Sequence, residues 1–446
     1  MASTQTDLTH GSVRSQLIRY AVPIMTTSLL QAIYGIVDML VVSRLIGQDG
    51  TSAVNNANQI SFLITNVAIG LSNGGSVLVG QYFGSGDREN RERTIGTFMT
   101  IFAITGAAAA LLFFLLAGQI TTWLRAPAYD VTYAYLSISA WGFFAVFFYN
   151  MLASTLRAVG NSRTPLYCVL VSTLLNIALD VLFVGPLGMG TAGAALATII
   201  AQYISALLAL GYMLLHRDIF SFRPYLLKPD GEKSRLIFKV GVPCAIQWTV
   251  ASISWLAVTW LINGYGVTYS AASGINSKIR DFSHVFILAM STGTSAMIAQ
   301  TLGARKYDRA KEVMYTAMRL ALLLAAVSIA VSAIFARQLA GLFTDDPEVI
   351  KYTALNLRIE MISELWYAVF LIYHSLMTGA GHTKLVLFSS FCNCILVRVP
   401  LAILLNALFG VVGVYAACAI APIVSIPIGM IYTKRGAWRT SLVGNK

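Results

Sequence analysis

The feature that most constrains this chain is a series of long apolar stretches that recurs along its whole length. Twelve can be counted, and they begin near Leu17, Ala53, Arg93, Val131, Thr164, Thr191, Leu236, Ser270, Met314, Val349, Lys384 and Gly410. At a rise of 1.5 Å per residue, about 20 residues cross a hydrocarbon core of about 30 Å. Because backbone polar groups in lipid must be satisfied within the segment, each stretch is predicted to be a helix. The sequence therefore predicts an all-α polytopic membrane protein with twelve transmembrane helices.

Composition agrees with a membrane protein. The chain has 446 residues, of which 57% are hydrophobic and 11% charged, whereas soluble proteins carry about 25% charged residues. The amino-terminal tail, Met1 to Ser15, is polar and lacks the apolar core of a signal peptide. A net charge of +12 is explained by cytoplasmic loops, so we expect the lipid bilayer as a partner and no nucleic acid.

The basic residues predict how the chain is oriented. With a cytoplasmic amino terminus, nearly all Lys and Arg of the loops fall on the cytoplasmic side. The outer side receives only Arg44, Arg125, Arg337 and Lys351. Under the positive-inside rule, this bias predicts that both termini are cytoplasmic.

The chain contains an internal repeat at an offset close to 220 residues. YAVP, GQYFGSGD, STLRAVGNSRT and GTAGAALA in the first half match VGVP, AQTLGARKYD, SLMTGAGHTK and GVVGVYAA in the second. Six helices per half is an even number, so both halves enter the membrane from the same side as a parallel repeat. We predict an amino-terminal six-helix lobe at residues 1–215, a cytoplasmic linker at 216–235 and a carboxy-terminal six-helix lobe at 236–446.

Asp180 is the most informative polar residue, because it lies within a run that is otherwise fit for lipid. A carboxylate at bilayer depth costs at least ~2.5 kcal/mol, so such an acid is read as functional and facing protein. Asn176 lies one helical turn earlier on the same face. The pair predicts a cation site.

The first and sixth helices offer further oxygen atoms at a similar depth. Asp38 has Tyr34 and Gln31 on its own helix face, and Thr198 follows the external turn before helix six. Counting residues from the external turns places Asp38, Asp180 and Thr198 roughly 8 to 14 Å below the outer surface. Two carboxylates in a low-dielectric cavity disfavour each other's charge, so proton and cation capture are coupled events. The alternative is that these acids only satisfy internal hydrogen bonds.

The second half does not copy the acids. Val258 stands at the position of Asp38, and Arg398 and Pro400 occupy the region equivalent to Asn176–Asp180. Helices eight and ten carry their own polar residues, which are Lys278, Arg280, Asp281, His284, Arg358, Glu360, Glu364 and His374. Lys278 with Asp281 and Glu360 with Glu364 have helical spacing, and Arg398 could neutralise a glutamate. A structural role and a substrate or second-ion role both remain open for this group.

The pattern resembles the multidrug and toxic compound extrusion (MATE) family of efflux transporters over essentially the whole chain. The matching stretches are AVP, IVDMLVVSRLIG, GQYFGSGD, LRAVGNSRTPLY and NIALDVLFVGPLGMGTAGAALAT. The resemblance implies two six-helix bundles around a cleft that opens alternately to each side. It also implies export of organic cations and amphipathic drugs across a bacterial or archaeal cytoplasmic membrane, with no enzyme activity and no cofactor. We expect a monomer.

Within that family the chain is similar to the prokaryotic branch whose ion site lies in the amino-terminal lobe. The resemblance assigns cation coupling to Asp38, Asn176, Asp180 and Thr198, with a proton or sodium as the coupling ion, and Pro23 to a hinge in the first helix. Pro23 could equally be a passive kink, because the repeat supplies Pro243. No glutamate lies in the apolar stretch of helix seven that begins near Leu236, whereas other branches have one on this helix. Residues expected to contact substrate are Gln31, Tyr34, Tyr135, Asn150 and Glu364.

The sequence is also compared with two other functions of membrane proteins that carry repeated helical bundles or membrane aspartates. A lipid-linked oligosaccharide flippase of the same superfamily would need a cationic cavity for pyrophosphate, whereas the predicted cavity is acidic. An intramembrane aspartyl protease uses two membrane aspartates. The sequence after Asp180 lacks the glycine-bracketed aspartate of such enzymes, and proteolysis leaves the repeat unexplained.

Overall fold

The computed structural model describes residues 7–46, 48–123, 128–217, 219–220 and 224–443; Arg125, used above to orient the chain, lies outside them. These ranges are helical and contain no strand. The first half of the repeat contains α1 (Val13–Leu45), α2 (Gln48–Ser85), α3 (Arg88–Trp123), α4 (Tyr129–Ala158), α5 (Arg163–Val184) and α6 (Gly190–Leu215). The second contains α7 (Gly231–Asn263), α8 (Val267–Gly303), α9 (Tyr307–Ile334), α10 (Ala336–Gly341), α11 (Pro347–Glu360), α12 (Ser363–Gly379), α13 (Thr383–Phe391), α14 (Val399–Phe409), α15 (Val411–Ile420) and α16 (Ser425–Arg435).

Twelve membrane crossings follow from these helices. Ten segments of the described ranges are long and apolar enough to span, including α13–α14 and α15–α16, each read as one continuous segment. The first crossing is α1, whose 33 residues also exceed the required length. The remaining crossing consists of α11 and α12, because a turn at Met361–Ile362 divides it into helices of 14 and 17 residues. The predicted all-α, twelve-helix fold is confirmed.

The first compact unit contains Val22–Ala245. Its central helix is α4, which packs against α2, α3 and α6, while α5 packs against α6. A buried cluster joins α1, α2, α4 and α6 through Val42, Val54, Tyr135 and Ala194. The α4 helix therefore brings side chains of the first, fifth and sixth helices towards a common interior.

The second compact unit contains Ile246–Lys446 together with Leu8–Ala21. Its central helices are α11 and α12, which pack against α8 and α9 as α4 packs in the first unit. The amino-terminal segment is anchored here by two cations of the α8–α9 turn. Lys306 Nζ donates to the Thr9 carbonyl at 3.0 Å, and Arg309 Nε donates to the Leu8 carbonyl at 3.1 Å. The lobe boundaries derived from the sequence stay a prediction.

The polar segment between α6 and α7 packs onto the first unit. A short 3₁₀ helix, Pro224–Leu227, lies against α3, and Thr100 Oγ1 donates to the Leu227 carbonyl at 2.6 Å. Gly96 makes this contact possible, because a Cβ there would stand 2.0 Å from the Leu226 carbonyl oxygen. Residues 224–227 of the linker are thus packed against α3.

Candidate functional site

The first helix contributes a buried acid and a tyrosine. Asp38 is 4% exposed, and Tyr34 lies one turn before it on the same face. The hydroxyl groups of Tyr34 and Thr198 are 3.1 Å apart and hydrogen-bonded, which joins α1 to α6. Two of the three helices that the sequence expected to share a site are therefore linked directly.

The fifth helix contributes the remaining acid and the amide. Asn176 and Asp180 are each 1% exposed, although α5 is apolar along most of its length. Their spacing of one turn gives both side chains the same face, as expected for i and i+4 positions. The amide and the carboxylate are close enough to interact, without the geometry of a hydrogen bond.

The acids from α1 and α5 lie in one electrostatic environment. The carboxylate of Asp38 interacts electrostatically with that of Asp180, and both act on the Tyr34 hydroxyl group. Tyr135 of α4 is buried within electrostatic range of the same two carboxylates, although the sequence suggested it only as a substrate contact. Ser139, one turn further along α4, also interacts with the Tyr135 hydroxyl group.

The protein leaves these polar atoms without partners. In the described part of the chain, Oδ1 of Asp38, both oxygens of Asp180 and both polar atoms of Asn176 are buried and make no hydrogen bond. Buried polar groups are nearly always hydrogen-bonded, and an uncompensated carboxylate in an apolar surrounding is costly. Two carboxylates, an amide oxygen and hydroxyl groups are hard oxygen donors. The arrangement can therefore take up a small cation or protons.

Other predicted contact residues lie elsewhere. Gln31 is exposed on α1, two turns from Asp38. Asn150 Nδ2 donates to the Val146 carbonyl of its own helix at 2.8 Å. Glu364 belongs to the second unit, where its Oε1 lies 2.9 Å from His284 Nε2. Among the residues described, no group of three or more His, Cys, Asp or Glu side chains could hold a metal ion.

Pro23 lies inside α1, close to the point where this helix passes from one compact unit to the other, between Ala21 and Val22. Proline removes one backbone hydrogen bond from a helix interior. Thr26 and Thr27 donate their hydroxyl groups to the carbonyls of Val22 and Pro23, at 3.0 and 2.8 Å. Such back-bonding by threonine also favours bending, so the proline and the two threonines favour a bend in α1 at the same place.

The second unit has a buried polar cluster of a different kind. Arg280 pairs with Glu360, whose other carboxylate oxygen accepts from Asn276. Lys278 is exposed, and Asp281 lies 3.8 Å from Arg280 instead of pairing with Lys278. Lys278 and Arg280 lie two residues apart and so take different faces of α8, which leaves Lys278 exposed and Arg280 buried. Two acids of this group pair with residues of α8 from another helix, Glu360 with Arg280 and Glu364 with His284.

The family model described as MatE matches the chain twice, over residues 23–182 and 243–404. The chain belongs to the MatE family. The two matches start 220 residues apart, at the prolines of α1 and α7, and so reproduce the internal repeat. MatE proteins are transporters that need no cofactor, so the chain is not an enzyme and the aspartyl protease alternative is dropped.

The MatE assignment agrees with named relatives. The chain is 29% identical over 380 residues to the probable multidrug resistance protein YoeA of Bacillus subtilis, covering 83% of this chain and 82% of the relative. It is 25% identical over 417 residues to the multidrug export protein MepA of Staphylococcus aureus, covering 91% and 90%. A solved structure, the outward-facing conformation of a multidrug resistance MATE family transporter of the MOP superfamily, is 22% identical with a TM-score of 0.89, covering 97% and 98%. That likeness concerns the fold alone.

Proposed function

We propose that this protein is a secondary active multidrug efflux transporter that exchanges organic cations and amphipathic drugs for protons or sodium ions. The observation that carries the proposal is the pair of buried carboxylates, Asp38 and Asp180, which come from different helices and lack hydrogen-bond partners for three of their oxygens. The names of the bacterial relatives, one a probable multidrug resistance protein and one a multidrug export protein, support the drug efflux.

The proposed coupling step is ion capture between α1 and α5. An inward-moving cation is bound by Asp38 and Asp180, with Asn176 and Thr198 as further oxygen donors. Coupling requires that the ion binds one conformation more tightly than the other. Bending of α1 near Pro23 would supply this difference, because Asp38 lies on the same helix about four turns beyond the proline.

Substrate is proposed to bind near the ion site. Tyr34 and Tyr135 lie within electrostatic range of both carboxylates, and aromatic ring faces attract desolvated cations. Gln31, Asn150 and Glu364 remain proposed contacts further along the substrate path. The transporter is proposed to act as a monomer in a bacterial or archaeal cytoplasmic membrane with both termini in the cytoplasm.

The test is ethidium efflux by the purified protein in proteoliposomes. Asp38→Asn and Asp180→Asn are each expected to abolish gradient-driven efflux, because a neutral amide keeps the size of the side chain and loses its charge. Glu348→Gln is the matched control, since Glu348 is an exposed acid whose side chain is 59% accessible at the start of α11. Full activity in both aspartate variants would refute the proposed ion site.

A second arm identifies the coupling ion. Efflux is measured with a pH gradient alone and with a sodium gradient alone, in the same vesicles. Efflux driven by one gradient and absent with the other assigns the ion. Efflux that needs neither gradient would refute the proposed antiport mechanism.

A further inference from the structure

Trp255 of α7 is the centre of the polar cluster in the second unit. The guanidinium carbon of Arg280 lies 4.0 Å from the centroid of its indole ring, and that of Arg398 lies 4.7 Å from it. Both arginines are 7% exposed, so the two charges are held inside the unit rather than at its surface. Cation–π contacts of this kind stabilise a desolvated guanidinium group.

The two arginines differ in their acidic partners. Arg280 forms a salt bridge with Glu360 and has Asp281 at 3.8 Å. Arg398 forms no salt bridge within the described ranges, and its Nε and Nη1 atoms are buried without a hydrogen bond. A buried guanidinium group with unsatisfied donors is costly in an apolar surrounding. Trp255 offsets only part of that cost, because a ring face accepts no directed hydrogen bond from Nε.

The backbone around Arg398 is unusual. Residues Cys392–Arg398 form a π-helical segment between α13 and α14. Such segments occur mostly as single-turn insertions in α-helices, frequently at functional sites. Ser254 Oγ, next to Trp255, donates to the Cys394 carbonyl at 2.6 Å and so ties this segment to α7. The position of Arg398 against Trp255 is thus fixed by the backbone on both sides.

The repeat relates this cluster to the carboxylate site of the first unit. At the repeat offset, Val258 corresponds to Asp38, Cys418 to Thr198, and Arg398 falls between Asn176 and Asp180. Cys418 interacts electrostatically with Glu360, Arg398 and Arg280, so the equivalent positions meet in the second unit as well. Equivalent helical segments of the two halves therefore carry unpartnered carboxylates in one unit and an unpartnered guanidinium group in the other.

We propose that Arg398 and Trp255 form a binding site for the carboxylate of aromatic anionic or zwitterionic substrates. The planar guanidinium group can donate two parallel hydrogen bonds to a carboxylate, and these are stronger than neutral ones. Half-buried Trp255 and Tyr367 would contact the aromatic part of the ligand through the ring surface that Arg280, Arg398 and His284 do not cover. Tyr367 lies within electrostatic reach of both Arg398 and Glu364. The inference extends the proposed efflux function and rests on it for the transport of such compounds.

The first experiment measures binding to the purified full-length protein. Naphthoate is the probe, and naphthamide is its neutral analogue of nearly the same shape. Naphthoate is expected to bind the wild type, and Arg398→Gln is expected to weaken binding by roughly 10- to 100-fold, the loss of one charged hydrogen-bonding partner. Arg398→Lys keeps the charge without the planar fork and is expected to give a smaller loss. Equal binding of naphthoate by wild type and Arg398→Gln overturns the proposal.

The second experiment measures thermal unfolding, and Arg280 provides the matched control. Arg280→Gln leaves Glu360 buried without its cation and is expected to lower Tm clearly. Arg398→Gln removes a charge that has no ion-pair partner, so Tm is expected to stay unchanged or rise. A fall in Tm as large as that of Arg280→Gln would make Arg398 a structural residue. If Arg398→Gln fails to fold, that outcome likewise overturns the proposal.

Two further readouts complete the test. Naphthoate is expected to raise the Tm of the wild type, since a ligand that binds the folded state stabilises it, while naphthamide is not. Equal shifts of Tm with naphthoate and naphthamide would mean that both compounds bind through aromatic stacking alone, and this result would overturn the inference. A wild type that binds naphthoate through Arg398 but exports no ethidium would contradict the proposed function and leave the carboxylate site standing.

Discussion

Substitution of Gly96 by alanine tests whether the linker between the two halves is part of the folded first unit. Gly96 lies on the face of α3 that contacts Pro224–Leu227. An added Cβ would stand 2.0 Å from the Leu226 carbonyl oxygen, a distance at which one backbone must move. The linker is the element expected to move, because α3 is held along its length by α4.

The magnitude follows from the contacts that hold the linker. Displacement breaks the bond from Thr100 to the Leu227 carbonyl and the bond from the Asp230 amide to Thr97 Oγ1, at 2.6 and 3.1 Å. Each is worth about 1 kcal/mol. It also exposes Leu226, which is 5% accessible, at a cost of about 1.5 to 3 kcal/mol. The free energy of linker opening is therefore expected to fall by about 3.5 to 5 kcal/mol, which is at least about a 300-fold rise in the open population.

Limited trypsin digestion reports this population, because cleavage of a rapidly opening segment follows the fraction that is open. Cleavage is followed after Arg217, an exposed residue at the start of the linker; Lys228 is exposed as well but is resistant, because Pro229 follows it. Gly211→Ala in α6 is the matched control, since a Cβ there meets nothing within 4 Å. Gly96→Ala protein that resists trypsin as well as wild type and Gly211→Ala would refute the reasoning.

Three further predictions concern stability measured by thermal unfolding. Arg280→Gln and Glu360→Gln are each expected to lower the free energy of unfolding by about 3 to 5 kcal/mol, because each leaves a buried charge without its partner. In a double-mutant cycle, the double variant should lose clearly less than the sum of the two single losses. Strict additivity would contradict the pairing. Ser254→Ala is expected to lower the free energy of unfolding by about 1 kcal/mol through loss of its bond to the Cys394 carbonyl, whereas Thr259→Ala on the exposed face of α7 should change it by less than about 0.5 kcal/mol. The coupling ion is expected to stabilise the wild type by about 2.7 kcal/mol at a concentration 100-fold above its dissociation constant, and the Asp38→Asn, Asp180→Asn double variant should not respond to it.

The fold could be predicted from the sequence because the membrane imposes it. The number of long apolar stretches predicted the number of helices, and the internal repeat predicted six of them in each half. The turn at Met361–Ile362 and the π-helical segment at Cys392–Arg398 could not be predicted, because both interrupt stretches that remain apolar and helix-compatible in sequence. Such interruptions depend on tertiary contacts. In the π-helical segment, one such contact is the hydrogen bond from Ser254 to the Cys394 carbonyl.

The contacts of the site were predictable only along single helices. Spacing placed Asn176 with Asp180 and Tyr34 with Asp38, because i and i+4 positions share a face. Proximity of Tyr135 to both carboxylates depends on how α4 packs against its neighbours, which no local pattern encodes. The same limit explains why Arg280, and not Lys278, took the buried position on α8.

The comparison of equivalent positions argues that both unpartnered groups are there for ligands. Stability alone would be served by an apolar side chain, as Val258 shows at the position of Asp38, where it is 2% exposed within a hydrophobic cluster. Replacing buried charges with well-packed apolar residues is often neutral or stabilising. Asp180 and Arg398 therefore each cost stability that their own unit does not recover through protein contacts. A cation at the first and a carboxylate at the second would recover it, and a transporter with both sites could accept substrates that carry charges of either sign.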